Sequence, residues 1–295
     1  MAVGRSYTAG RFALELDGTP AGFLASARGG DAFGHVVEGE PQGSRVPKRI
    51  AGVGYTPLVV EVALPLTEPL LGWVAATLDG GYSAHAGALL SIDSSSRIQQ
   101  RLDWTGGFIT AVAFPATDAT SKDPARVRVT IEAEQTRVVA SSGDYPSPLK
   151  SVQKQVLVSN FRFAVSGLEA AGRTVSKVSA LTASRRVDNS QGLEREYMKV
   201  GAVVDVADVA LWLPTTDAAE YVRWFDELVL RGKSEAGQRT ASLVFLDAGL
   251  KADVVRVDLE GVGIHRISHE AEPSGLETVP RVKVELYCEA LRLRI

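Results

Sequence analysis

His265, His269 and Glu270 stand together in HRISHE, a grouping that could bind a divalent metal or relay a proton. The spacing is not that of a helical HExxH site, where two histidines four residues apart face one ion. In a strand-like run the two read as ordinary polar positions. Gly29-Gly30 and Gly106-Gly107 could cradle a phosphate, but neither leads into the Lys-Ser/Thr of a P-loop, and turns between strands need glycine anyway. Ser94 to Ser96 lacks the G-x-S-x-G frame of an activated serine and reads as a loop. Asp103 beside Arg101, and Asp258 beside Arg256, could be acid/base carboxylates; a recurring charge pattern of the fold explains them equally well. Cys288 is the single cysteine, so an intramolecular disulfide and a cysteine zinc site are excluded. It sits in an alternating run and reads as a small buried hydrophobe. No catalytic, metal or cofactor site is expected, and the chain reads as a non-enzyme.

The remaining polar candidates are basic. Arg45, Lys48 and Arg49 fall in a long Gly/Pro-rich loop, Gly29 to Arg49, and Arg185, Arg186 and Arg195 in another. They are solvated loop charge, or they form salt bridges between assembled copies. Overall charge offers no second partner. The formal net charge is −3, and the chain up to residue 140 carries 12 Lys/Arg against 14 Asp/Glu, the rest 20 against 21. Two nearly neutral halves lack the footprint of a nucleic-acid binder. No apolar run approaches the ~18 residues of a membrane span, and MAVGRSYTAGRF is not a signal peptide.

The elements that carry these residues read mostly as strands. In DAAEYVRWFDELVLR, Tyr221, Trp224, Phe225, Leu228 and Val229 recur at helical spacing and form one apolar stripe. Asp217 and Glu220 have the form of a capping box, and Gly232 suits the helix end. An earlier helix is expected after Thr67, its apolar face made by Leu70, Leu71, Trp73, Val74 and Leu78 and its end set by Gly80-Gly81. Both tryptophans are expected in the core. The alternating runs RFALELDG, TPLVVEVALPL, AGALLSID, RIQQRLDWTGGFITAVA and RVRVTIEAEQTR read as strands. SSGDYPSPLKSVQK, Ser141 to Lys154, reads as a linker.

Beyond it the plan restarts. FAVSG follows FALELDG, VADVALWLP follows VVEVALPL, and PRVKVELYCEAL follows PARVRVTIEAEQ. SLVFLDAGLKADVVRVDLEGVGI follows ALLSIDSSSRIQQRLDWTGGFI, placing Asp247 on Asp93, Arg256 on Arg101, Asp258 on Asp103 and Gly261 on Gly106. The expected fold is mainly β: two tandem antiparallel barrel or sandwich domains, 1-140 and 155-295, each with one packed helix.

Each half resembles the tail-tube protein of contractile phage tails, with its relatives in phage-like injection particles and type VI secretion. The resemblance lies in the glycine-ended opening strand, and in the lysine-bearing loop running into a strand (PKRIAGVGYTPLVVEVAL; YMKVGAVVDVADVAL). It continues through the helix with Trp73 or Trp224, the strand ending in Asp93 or Asp247, the loop AFPATDA and an acidic-edged last strand. It covers nearly the whole chain outside the linker. It implies a ring-forming subunit around a hollow channel, rings stacked into a tube, sheath and baseplate proteins as partners, and DNA or protein as payload. It also implies assembly in a bacterial cytoplasm. The family is usually single-domain with six subunits per ring, so a tandem chain would complete a ring as a trimer. A baseplate hub or tube-initiating ring is the alternative within that machinery. A ligand-binding β-barrel is the alternative outside it, with the scarcity of aromatics outside the helices counting against it.

Overall fold

The computed structural model describes residues 11–93, 95, 97–146, 155–188, 199–232, 237–270 and 280–294. The fold is mainly β, with a nearly closed barrel-like sheet. The first half contains β1 (Arg11–Leu16), β2 (Thr19–Leu24), β3 (Ser26–Arg28), β4 (Ala32–Glu38), β5 (Lys48–Tyr55), β6 (Leu58–Ala63) and α1 (Glu68–Leu78). It continues with β7 (His85–Ile92), β8 (Ile98–Phe114), β9 (Thr117–Asp118), β10 (Arg126–Glu132) and β11 (Gln135–Val139). The second half contains β12 (Phe161–Val165), α2 (Glu169–Gly172), β13 (Lys177–Val178), β14 (Leu181–Asp188), β15 (Lys199–Val206), β16 (Val209–Pro214) and α3 (Ala219–Phe225). It ends with β17 (Arg239–Leu246), β18 (Asp253–Glu270), β19 (Arg281–Tyr287) and β20 (Ala290–Arg294).

The two halves pair their strands in the same order. β1-β7-β8-β10-β6-β3 runs through the first and β12-β17-β18-β19-β16-β13 through the second, with β11 on β8 and β20 on β18. The registers also agree. Ala27 opposite Val60 is matched by Val178 opposite Leu211, and Arg126 opposite Ala63 by Arg281 opposite Pro214. Even the irregularity in β10 between Thr130 and Ile131 has its counterpart where β18 meets Glu285. Register is pinned because a one-residue slip would turn every inward side chain outward. Val127, Val129 and Ile131 of β10, and Val282, Val284 and Leu286 of β19, all lie in the core.

Each long strand turns a corner at a glycine. β8 pairs with β11 up to Thr105 and with β10 from Phe108; β18 changes from β20 to β19 in the same place. Gly106 (φ 58°) and Gly261 (φ 60°) hold left-handed backbone there, where a Cβ would collide with Glu134 and Glu289 respectively. Asp93 and Asp247 also share a role. Asp93 Oδ1 accepts from the Ser95 and Arg97 amides, and Asp247 Oδ1 from the Lys251 and Ala252 amides, closing the turn into each long strand.

Several expectations change. Gly29 to Arg49 is not a loop: β4 and β5 pair from Ala32–Tyr55 to Glu38–Lys48. RVRVTIEAEQTR is not one strand but the end-to-end pair β10 and β11, which serve two parts of β8. Neither helix has a side-chain cap. Asp217 closes a short 3-10 turn instead, and Thr67 Oγ1 donates to the Ala21 carbonyl at 2.6 Å, tying the helix start to β2. α3 loosens into a wide, π-type turn over Asp226–Leu230. That turn carries Val229 off the stripe to 42 % exposure, while Tyr221, Trp224 and Leu228 stay buried and Phe225 is half-buried. Leu70, Trp73 and Val74 are buried on the first helix as expected. Buried aromatics are not confined to helices: Trp104, Phe114, Phe163 and Phe245 fill strand positions in the core. Nor is the whole linker free. Tyr145 is buried, its hydroxyl donating to the Leu14 carbonyl at 2.8 Å, so the chain leaving β11 is pinned to β1; residues 147–154 lie outside the described residues.

Candidate assembly surface

The two halves are joined by main chain and side chain alike. β14 adds to the edge of β8, Leu181 opposite Phe114 and Ala183 opposite Val112, so the β14–β15 hairpin of the second half extends the sheet of the first. An antiparallel ladder of this kind satisfies the exposed backbone of both edges. Leu181, Ala183 and Val112 are buried by it, and Val204 of β15 packs against the same core. In the reverse direction, β9 of the first half pairs with β13 of the second.

Arg185 locks this junction. It is 7 % exposed, and its Nη2 donates to the carbonyls of Thr77 and Gly81, each at 2.8 Å. The Thr77 carbonyl is in the last turn of α1, where it also accepts from the Gly80 amide, and Gly81 lies just beyond; the helix dipole favours a cation there. Burial pushes the guanidinium's pKa down, though an arginine keeps its charge at neutral pH. A second tie crosses nearby: Arg292 Nη1 of β20 meets Asp79 Oδ1 at the foot of α1, at 2.7 Å, and its Nε reaches Glu260 at 3.3 Å.

The other basic candidates do not gather with Arg185. Arg186 is exposed on the same strand, and Arg195 lies outside the described residues. Lys48 and Arg49 belong to β5 and Arg45 to the turn at the tip of the β4–β5 hairpin, all exposed. Lys48 Nζ pairs with Glu38 Oε1 at 2.8 Å across the hairpin. Arg185 and Arg186 are therefore strand residues rather than loop charges, and the first of them bridges the two halves.

The candidates for chemistry also resolve into structural roles. Arg101 forks onto Glu15, with contacts of 2.7 and 3.1 Å, and also bonds Asp103; Arg256 pairs with Asp258 at 2.7 Å. The paired carboxylates hold Arg101 charged far above the usual range, Glu15 most of all. His265 Nε2 lies 3.3 Å from Asp208, with His269 exposed further along β18. Burial pushes the Cys288 thiol up to about 11, its Sγ facing the Ala290 carbonyl. Among the described residues no His, Cys, Asp and Glu side chains converge as metal ligands, and no helix is long and apolar enough to cross a membrane.

No protein-family model matches the chain, and no curated protein matches it. Solved structures do. The tube-terminating cap of the anti-feeding prophage is 17 % identical, over 48 % of this chain and 95 % of its own, with a TM-score of 0.41. The sheath/tube terminator of the PVC extracellular contractile injection system is 18 % identical, over 47 % and 100 %, with a TM-score of 0.41. Hcp1 from Flavobacterium johnsoniae is 13 % identical, over 46 % and 99 %, with a TM-score of 0.32.

The junction was not legible from single residues. Arg185 was visible as a basic residue, but its partners are main-chain carbonyls, which carry no side-chain signal. The one usable hint was internal alignment. It is four residues off: VADVALWLP laid on VVEVALPL puts Val209 on Val62, whereas the matching strand pairs put Val209 on Leu58, and only that offset lays β14–β15 on β4–β5.

Proposed function

We propose that this chain is a structural, ring-forming subunit of the inner tube of a phage tail or phage-like contractile injection system. In this reading it is a tandem duplication, with domains 1-140 and 155-295 joined by 141–154. The observation that carries the reading is the junction between the halves. Two units with one strand order and one register meet through different faces, the hairpin of one on the sheet edge of the other. Such a head-to-tail contact generates a ring when its rotation closes. With six folds per ring, the number the sequence resemblance implies, three chains complete it as a pseudo-hexamer.

The linker suits this arrangement. Tyr145 is held on β1, so the span left for it is the nine residues from Pro146 to Lys154, which reach about 30–32 Å at most, and tethering raises the effective concentration of each half for the other. The filled cores favour an architectural role over ligand capture, since large side chains such as Trp104 and Phe114 occupy the interior. Rings would stack into a conduit for DNA or protein, assembled in a bacterial cytoplasm and contacted by sheath and baseplate proteins. Native mass spectrometry of the assembled protein tests the reading. Three chains of 31.4 kDa per ring are expected; a particle that stays monomeric at every concentration contradicts it.

A further inference from the structure

The junction inside the chain uses only one of two equivalent pairs of faces. The second half gives its hairpin and β20, and the first half receives them on β8 and α1. Among the described residues that leaves the first half's own hairpin and β11 unused, together with the second half's β18 edge and α3. We infer that these unused faces meet between two copies of the chain, β4 docking on β18 in the register that β14 keeps with β8. The seam between chains would thus repeat the junction within a chain, without its buried arginine. This rests on the head-to-tail reading above and specifies its contact.

Burial supports it position by position. Among the described residues no strand pairs with β18 beyond Gly263 except β19, so its other edge is open where β8 carries β14. Ile267, the counterpart of Val112, is only half-buried. On the hairpin, Ala32 is exposed where Ala183 is buried, and Val53 is exposed where Val204 packs on the core. Val36 and Ile50 add apolar surface on that face, Ile50 being 70 % exposed. The flanking contact behaves alike. Leu78 of α1 is 5 % exposed and its counterpart Val229 is 42 % exposed; Leu293 of β20 packs on the core and its counterpart Val138 of β11 is 60 % exposed. Apolar side chains of this size, left out on two surfaces that are already complementary once in the same molecule, mark an unmade contact of the same kind.

The polar locks are missing from the second version. Arg185 corresponds to Gly34, which cannot reach a helix end. Asp79, which pairs with Arg292, corresponds to Leu230, and Arg292 to Arg137. The seam between chains would be held by strand pairing and apolar contact alone, and would part before the junction within a chain.

Cysteine cross-linking of the full chain tests it. Copying Ala183 opposite Val112 puts Ala32 opposite Ile267 in the neighbour, within the Cα separation a disulfide spans. Oxidising the assembled Ala32→Cys/Ile267→Cys variant should convert most of the protein to covalent multimers, several-fold more than Ala32→Cys/Ser268→Cys, whose side chains point to opposite faces. Asp31→Cys/Ser268→Cys, copying Thr182 opposite Ala113, supplies a second pair should Ile267→Cys impair folding. Rings in the microscope with neither pair cross-linking would overturn this seam and leave the ring. Cross-linked chains without closed rings would keep the seam and remove the ring; neither rings nor cross-links would overturn both.

Discussion

The β4–β5 and β14–β15 hairpins have the same pairing, Ala32 opposite Tyr55 and Ala183 opposite Val206, and each bends at an irregularity three or four residues on. Their environments are opposite. One lies on another sheet, with Ala183 and Arg185 buried; the other stands out from its half, with Ala32, Phe33 and Ile50 exposed. Because the local folds agree, the difference reports what each hairpin touches. The second hairpin has its partner within the chain, and its core-facing positions are small or aliphatic with one cation for a helix end. The first keeps the apolar residues and lacks the cation.

The largest effect is expected from the helix cores, which should not distinguish the halves by exposure. Trp224→Ala should destabilise by about 3–5 kcal/mol, the usual cost of truncating a large buried aromatic. Trp224 differs from Trp73 in its polar contacts. Its Nε1 donates to the Gly237 carbonyl at 2.8 Å and Arg239 lies 5.2 Å over its ring, while Trp73 Nε1 has no hydrogen-bond partner. Phenylalanine should therefore cost more at Trp224 than at Trp73, as compared by denaturant midpoints.

A smaller effect isolates the junction. Arg185→Ala removes a charged donor from two carbonyls, a loss of about 1.5–3 kcal/mol. Arg186→Ala, on an exposed neighbour, should stay within about 0.5 kcal/mol. Unfolding of the Arg185 variant should separate into two transitions as the halves uncouple, a change that circular dichroism and tryptophan fluorescence would register at different denaturant concentrations. A single unchanged transition would mean that the arginine does not couple the halves.

The smallest effect on stability belongs to the tip of the free hairpin. Replacing Arg45, Lys48 and Arg49 with serine should leave the folded monomer unchanged within about 1 kcal/mol, because the Lys48–Glu38 pair is exposed and screened. Ring stacking, read as tube length at fixed salt and concentration, should fall. Tubes of ordinary length would remove these residues from the contact between rings.

Much of this was legible in the sequence, for a physical reason. Burial on one face of a strand imposes alternation, so the runs that became β6, β10, β16 and β19 announced themselves. The repeat of aspartate, arginine and glycine through β7–β8 and β17–β18 was visible because each residue is fixed by a turn or a corner. The β4–β5 hairpin was hidden because its glycines and charges mimic a loop when its apolar side chains have no core of their own to face. Thr67 stands at the N-cap of α1 but its hydroxyl serves Ala21, and Asp217 ends a 3-10 turn ahead of its helix instead of capping it. The linker's Tyr145 was overlooked because a single buried aromatic has no periodicity.

End-on class averages of the assembled protein in the electron microscope test the central claim most directly. The account predicts six similar folds around a channel, supplied by three chains, with threefold symmetry and only approximate sixfold repetition. Six whole chains in a ring, or a ring with any other number of folds, would contradict it.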